Sequence, residues 1–266
     1  MANQEISDRQ NKFACCLFSF FNFFLDALYP PICIKCKKLL KNNDKYDKND
    51  FFSYNLKSYL CYNCSNEFVP SEGPMCSVCG MNFKSKETID HICYECIIKP
   101  KKFYKARSCG SFTNVLRDVI HHYKYKKKQY LAVPLGKIIY FTFEKYWSKD
   151  EIDIVIPVPL HIKRFRQRGF NQAYLLLDEF KKNSFVINRN VLKRIRWTEP
   201  QTNLKKKMRL INLKNAFALD NCEQIKNKNV LIVDDVYTTG STINECAKTL
   251  IKGGANRVSA ITIAKT

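Results

Sequence analysis

At 266 residues with a hydrophobic share of 45%, the chain has room for one sizeable core and one small module, and its composition is that of a globular protein. Lysine and arginine number 45 against 24 acids, a formal charge of +21 that points to an anionic partner, a polyphosphate or a nucleic acid. Abundant Lys, Asn, Ile, Phe and Tyr are also what an A/T-rich coding bias produces, so clustering of charge carries more than its total. The 13 cysteines would mean disulfides in a secreted chain, but nothing like an A-x-A cleavage site follows the apolar run after Lys12, and a reducing, cytoplasmic compartment is expected.

Residues 1–12 are polar. Residues 13–29 are rich in Phe and Leu, interrupted by Asn22 and Asp26, and end at Pro30 and Pro31. Seventeen residues is the lower limit for a bilayer span, so a packed N-terminal apolar helix is expected over this region, without membrane contact. Four Cys-x-x-Cys pairs follow: Cys33 and Cys36, Cys61 and Cys64, Cys76 and Cys79, Cys93 and Cys96. Each places two thiolates on one tight turn, and two such pairs complete a tetrahedral zinc site with no open position, hence two structural zinc ions. Sequential pairing leaves spacers of 24 and 13 residues; interleaved pairing satisfies the same count. The region is too small for its own core, so metal supplies the folding energy. On that view Cys76→Ser unfolds the ribbon and spares the rest. Cys15, Cys16, Cys109, Cys222 and Cys246 lack partners at ligand spacing and are expected to be buried thiols.

Residues 99–130 carry ten lysines and arginines against Asp118, interleaved with Phe103, Tyr104, Tyr123, Tyr125 and Tyr130. Cations mixed with aromatics suit single-stranded DNA, and equally suit a solvated helix face with inward tyrosines. His121 and His122 are not expected to be catalysts. A helix is predicted over 130–147, with Pro134 in its first turn. A strand follows over 153–159, then four cations without an acid, Lys163, Arg164, Arg166 and Arg168. Next come a helix over 171–182, a strand near 185–187, a basic segment over 193–214 containing Arg209, and strands over 216–219 and 257–264.

Between them lies the stretch that carries most chemistry, residues 229–242. Residues 230–233 are an unbroken aliphatic run, the pattern of a strand buried on both faces of a parallel sheet. Asp234 and Asp235 stand at its end, expected to face a crevice, followed by Thr238, Thr239, Gly240, Ser241 and Thr242. Ile243, Cys246, Ala247, Leu250 and Ile251 then recur at helical spacing up to Gly253 and Gly254. A hydroxyl-rich loop at a helix N-terminus holds phosphate, and acids at the carboxyl end of a parallel strand accept from sugar hydroxyls. The eight glycines form neither G-x-x-x-x-G-K-[ST] nor G-x-G-x-x-G, which excludes a P-loop and a dinucleotide fingerprint.

Residues 229–242 resemble the phosphoribosyl-pyrophosphate signature of type I phosphoribosyltransferases. Together with Pro157, Val158 and Pro159, with Arg168, Gly169, Phe170, Asn171 and Gln172, with Thr198, Pro200 and Gln201, with Arg209 and Asn212, and with Ala216 and Phe217, they make the chain similar to the ComF family of competence proteins from about Leu28 onward. Those proteins are also described as amidophosphoribosyltransferase-like. Glu199 departs from the family, which often has a second proline there, and the first zinc spacer is longer. The resemblance implies an α/β fold, a mostly parallel sheet flanked by helices (residues 101–266), behind a double zinc ribbon (residues 30–100). It implies that Asp234 and Asp235 bind the ribose 2′- and 3′-hydroxyls, and that Thr238, Thr239, Gly240, Ser241 and Thr242 cradle the 5′-phosphate. It further implies that Mg²⁺ arrives with phosphoribosyl pyrophosphate, and that DNA and DNA-uptake proteins are partners. Lys163, Arg164 and Arg209 are the candidates to offset charge on departing pyrophosphate. A protein that keeps this site only for binding, and works by holding single-stranded DNA, uses the same residues. A glutamine-dependent amidotransferase is disfavoured, because residue 2 is Ala2 and the first 100 residues are ribbon.

Overall fold

The computed structural model describes residues 30–40, 46–83, 89–197 and 213–266. The chain divides into two compact units, Met1–Asn66 and Glu67–Thr266. In the first, helix α1 (Phe51–Leu56) is capped by Asp50, whose carboxylate accepts from the Ser53 N–H, and helix α2 (Tyr62–Ser65) begins at Cys61. Phe52, Leu56 and Leu60 are fully buried or nearly so beside Cys33 and Cys64. That is a small core, as a metal-dependent module requires.

The second unit is built on a four-stranded sheet in the order β1 (Ala106–Ser111), β6 (Arg257–Lys265), β5 (Asn229–Tyr237), β2 (Ile154–Pro157), and every neighbouring pair runs parallel. Of its two central strands, β5 carries the aliphatic run legible in the sequence. Val230, Ile232, Val258 and Ala260 share one core with Ile243, Cys246, Ala247 and Leu250 of helix α9 (Ser241–Lys252). On the other face Cys109 of β1 reaches the Ile138 carbonyl of helix α5 (Ala132–Tyr146), so helices cover both faces of the sheet. Helix α4 (Asn114–Tyr125) buries Val115, Leu116, Val119, Ile120 and Tyr123. After β2 come α6 (Ile162–Arg168), α7 (Gln172–Leu175) and α8 (Asp178–Lys182); helix α3 (Tyr94–Ile98) lies in the cysteine-rich segment ahead of β1. A separate antiparallel ribbon pairs β3 (Leu192–Arg194) with β4 (Phe217–Leu219).

Several local expectations change. The helix read over 171–182 is two short helices, broken where Leu176 and Leu177 turn fully into the core. The strand near 185–187 is a single bridge between Val155 and Ile187. Strand β5 continues through the acid pair to Tyr237, so Asp234 and Asp235 lie within the strand. Strand β1 has no apolar run; its Ser108 is buried because the hydroxyl bonds Thr262 at 2.7 Å across the sheet. Cys109 and Cys246 are buried as expected, but Cys222 is exposed. Cys15, Cys16, the apolar run over 13–29, and residues 198–212 with Arg209 lie outside the described residues. Among the described residues no helix is long and apolar enough to cross a membrane.

Candidate sugar-phosphate site and cysteine centres

The acid pair is more enclosed than a crevice-facing reading implies: Asp234 is 8% and Asp235 4% exposed. Asp234 Oδ1 accepts the Asp235 backbone N–H at 2.9 Å. Asp235 Oδ1 receives the Lys124 ammonium of α4 at 2.8 Å, while its Oδ2 is buried without a hydrogen-bond partner among the described residues. Burial, and then the neighbouring Asp235 charge, push Asp234 up to about 7; Lys124 and Arg194 pull it the other way. A buried carboxylate oxygen with an open hydrogen-bonding position is a costly feature in a ligand-free protein, and it is what a hydroxyl donor would satisfy.

The loop after the pair is shaped by Tyr237 and Gly240. Gly240 is left-handed at φ 72°, and a β-carbon there would stand 2.2 Å from the Tyr237 hydroxyl, so the position excludes any side chain. Thr239 Oγ1 and Ser241 Oγ bond each other at 2.6 Å, and the Asn244 N–H returns to the Gly240 carbonyl at 2.8 Å, the first turn of α9. The predicted loop residues are therefore gathered at the N-terminus of a 12-residue helix, where backbone N–H groups and the helix dipole favour an anion.

Of the three candidate cations, the structure brings Arg164 toward the acids. Burial lowers the Arg164 pKa, its neighbour Arg168 lowers it further, and Tyr125, Asp235 and Asp234 counteract both. Its Nη2 is buried without a hydrogen-bond partner among the described residues. Lys163 and Arg164 share the Trp197 ring, the Lys163 ammonium 5.7 Å and the Arg164 guanidinium 5.8 Å from its centre, and of the two Arg164 is also the one that feels the acids. Two cations missed as site residues join the pair: Lys124, and Arg194 of β3, which burial and the Arg164 charge bring down to about 10 and Cys246 and Asp234 partly restore. Lys124 left a trace in the sequence. Leu116, Ile120 and Lys124 follow one another at intervals of four, placing a lysine on the buried stripe of α4.

The eight paired cysteines form two clusters, Cys33, Cys36, Cys61 and Cys64, and Cys76, Cys79, Cys93 and Cys96, with all ligand atoms of each within 4.8 Å of one another. The pairing is sequential, not interleaved. Zn–S bonds of about 2.3 Å in a tetrahedron set neighbouring sulfurs about 3.8 Å apart. Cys36 and Cys61 Sγ lie at 3.6 Å and Cys79 and Cys93 Sγ at 3.8 Å, so both donor sets fit zinc. In the second cluster burial acts to raise Cys76, yet N–H donors from Cys93 and Cys79, at 3.3 and 3.4 Å, bring it down to about 6.

A parallel sheet with this acid pair and helix-capping loop is the architecture of a phosphoribosyltransferase-type domain. Residues 134–266 match the phosphoribosyl transferase domain family and residues 24–97 the double zinc ribbon domain family. Competence protein F of Haemophilus influenzae is 29% identical over 219 residues, 77% of this chain and 96% of its own length. DNA utilization protein YhgH of Escherichia coli K12 is 28% identical over 78% of this chain and 97% of its own. Competence protein ComFC of Bacillus subtilis is 26% identical over 90% of this chain and 97% of its own. The chain belongs to the ComF family, a double zinc ribbon followed by a type I phosphoribosyltransferase-like domain.

Proposed function

We propose that the protein binds phosphoribosyl pyrophosphate or a related sugar phosphate and serves in the handling of DNA during uptake, with DNA-uptake proteins as partners, in the cytoplasm and with zinc in both cysteine clusters. The observation that carries the sugar-phosphate reading is the open, buried Asp235 Oδ2 beside Asp234, immediately ahead of the Gly240 turn and the α9 N-terminus. The acids take the ribose 2′- and 3′-hydroxyls, and Thr238, Thr239, Gly240, Ser241 and Thr242 take the 5′-phosphate. Mg²⁺ accompanying the pyrophosphate supplies charge neutralisation when bound. If the protein turns over, the C1′–O bond to pyrophosphate breaks through an oxocarbenium-like state and the electron pair leaves with pyrophosphate. A lone pair of the acceptor then closes on C1′. Arg164, with Lys163 and Arg209 as the further cations, offsets the charge on the departing group.

Calorimetric titration with phosphoribosyl pyrophosphate and Mg²⁺, followed by an assay for released pyrophosphate, tests both parts. Carboxylates accepting from hydroxyls contribute roughly 1.5–3 kcal/mol each. Asp234→Asn with Asp235→Asn is therefore expected to weaken binding by about two to four orders of magnitude. Indifference to the double change would remove the reading.

A second reading, single-stranded DNA binding without turnover, is favoured by the tip after α4, where Tyr125, Lys126, Lys127 and Lys128 are exposed or nearly so and Arg168 lies 5.5 Å over the Tyr125 ring. Affinity for an oligonucleotide should then fall with salt, by about 0.7 in log–log slope per phosphate neutralised. Replacing Lys126, Lys127 and Lys128 with Gln should flatten that slope; an unchanged slope would place DNA elsewhere.

A further inference from the structure

Lys124 differs from its basic neighbours. Lys126, Lys127 and Lys128 are solvent-exposed or nearly so, whereas the Lys124 side chain is 17% exposed and ends 2.8 Å from Asp235 Oδ1. Its approach is fixed from within the fold: Tyr123, one residue earlier, is fully buried, donates its hydroxyl to the Gln172 carbonyl at 2.8 Å and rests against the Phe170 ring. The other groups facing the acids are Arg164 of α6, Arg194 of β3, the Tyr123 hydroxyl and the Cys246 thiol of α9. Burial raises both of the latter, which stay neutral near pH 7. Among these groups Lys124 has the ion-pair contact with Asp235.

Resting on the sugar-phosphate reading above, we propose that Lys124 is a positioning residue of that site. It holds Asp235 through Oδ1 and neutralises the acid pair, leaving Oδ2 and Asp234 to accept vicinal hydroxyls. Two buried carboxylates side by side tend to share one proton, and a shared proton occupies one acceptor. A cation bonded to one of them opposes that sharing. The pair thus remains ready for a diol although it is enclosed. The basic segment after β1 thereby divides its work, with Lys124 in the pocket and Lys126, Lys127 and Lys128 outside it.

The test compares wild type, Lys124→Met and Lys124→Arg by titration with ribose 5-phosphate, without added metal, from pH 6 to 9. The variant-to-wild-type ratio at each pH cancels the ligand's own ionisation. Loss of a close counter-ion moves a buried carboxylate by about one to three pH units, so Lys124→Met should bind about tenfold or more weakly near pH 7. It should approach wild type toward pH 9, and Lys124→Arg should recover most of the loss. Equal loss at every pH, or no loss, would overturn the proposal. Carbon-13 NMR of the aspartate carboxyls supplies a readout that needs no ligand: the pair's titration should move upward in Lys124→Met, and an unmoved titration overturns the proposal. If wild type binds neither ribose 5-phosphate here nor phosphoribosyl pyrophosphate with Mg²⁺ while the carboxyls do shift, the sugar-phosphate reading fails and the role of Lys124 on the acids stands. Should Lys124→Met not fold, the same readout compares Asp235→Asn with Lys124→Met plus Asp235→Asn, which removes both charges of the ion pair: the remaining Asp234 should titrate higher without Lys124, and an unmoved Asp234 overturns the proposal.

Discussion

The two cysteine clusters share a ligand set and a spacing pattern, yet they do different physical jobs. The first belongs to the smaller unit; Cys36 is exposed, Cys61 is partly exposed, and only Cys33 and Cys64 are buried. In the second all four cysteines are buried, in one core with Tyr237 of β5, Ile243 and Cys246 of α9, and Val258 and Ala260 of β6. Its backbone is stitched to β1. The Ala106 N–H bonds the Val78 carbonyl at 2.7 Å, Arg107 donates to the Ser77 carbonyl at 3.1 Å, and a β-carbon on Gly80 would meet the Ala106 carbonyl at 2.6 Å. A Cys-x-x-Cys turn specifies a metal ligand locally, but what the metal stabilises is decided by what packs around it. The ribbon and the sheet do not have separate sources of stability at the second cluster.

The largest effect should separate the clusters by mutation. Cys76→Ser removes a ligand and the acceptor of two buried N–H groups, and is expected to destabilise the whole second unit by about 4 kcal/mol or more. That lowers its melting temperature by about 10 °C, read by circular dichroism of the sheet. Cys36→Ser should lose one zinc by native mass spectrometry and leave that transition where it was. Equal shifts from the two variants would erase the distinction between the clusters.

Metal removal sharpens the same contrast. A chelator added stepwise is expected to take zinc first from the exposed cluster, with binding of phosphoribosyl pyrophosphate unchanged while one zinc remains. Loss of the second zinc should abolish binding, because Tyr237 connects that core to the phosphate loop: it packs edge-on against Phe103, and its hydroxyl abuts Gly240. Hydrogen exchange over residues 237–244 should rise only at this second step. A single concerted loss of both metals would show the clusters to be equivalent.

Much of this was legible in residue order. The aliphatic run of β5, the hydroxyl loop and the α9 stripe are local patterns, and strand and helix fall where they were expected; the acid pair, equally plain, lies inside β5 and is more enclosed than expected. The cysteine pairs were equally plain, although only the fold chose sequential pairing. What escaped depends on neighbours distant in sequence. Strand β1 is polar and exists because β6 pairs with it and Thr262 satisfies Ser108. Lys163 and Arg164 cannot be told apart by composition: both lie over the Trp197 ring, and packing alone buries the Arg164 guanidinium within reach of the acids as well. Lys124 was readable from its place on an apolar stripe, but it sat among so many lysines that the local charge run obscured it.

The smallest effect concerns Lys265, at the end of β6. Its ammonium lies 3.5 Å from the centre of the Tyr237 ring, inside the second unit. Burial lowers its pKa, and Cys79, Cys96, Cys76 and Cys93 act to raise it, so the charge sits within reach of the whole cluster. Burial pushes the Cys79 thiol up to about 11, and Lys265 pulls it back. Four thiolates around one zinc carry a net double negative charge, and in a core of this kind a nearby ammonium offsets part of it. Lys265→Met keeps the length and apolar stem while removing the charge. Neighbours of this type typically change metal affinity by about tenfold or more, so competition with a chromogenic chelator should show zinc leaving the second cluster about tenfold more readily. Zinc in the first cluster should be held as before, because its cysteines belong to the other unit. The melting transition of metal-loaded protein should barely move, which distinguishes a charge effect on the centre from general loss of packing. If both clusters weaken together, or neither does, Lys265 has no part in holding the second zinc and the contrast rests on burial.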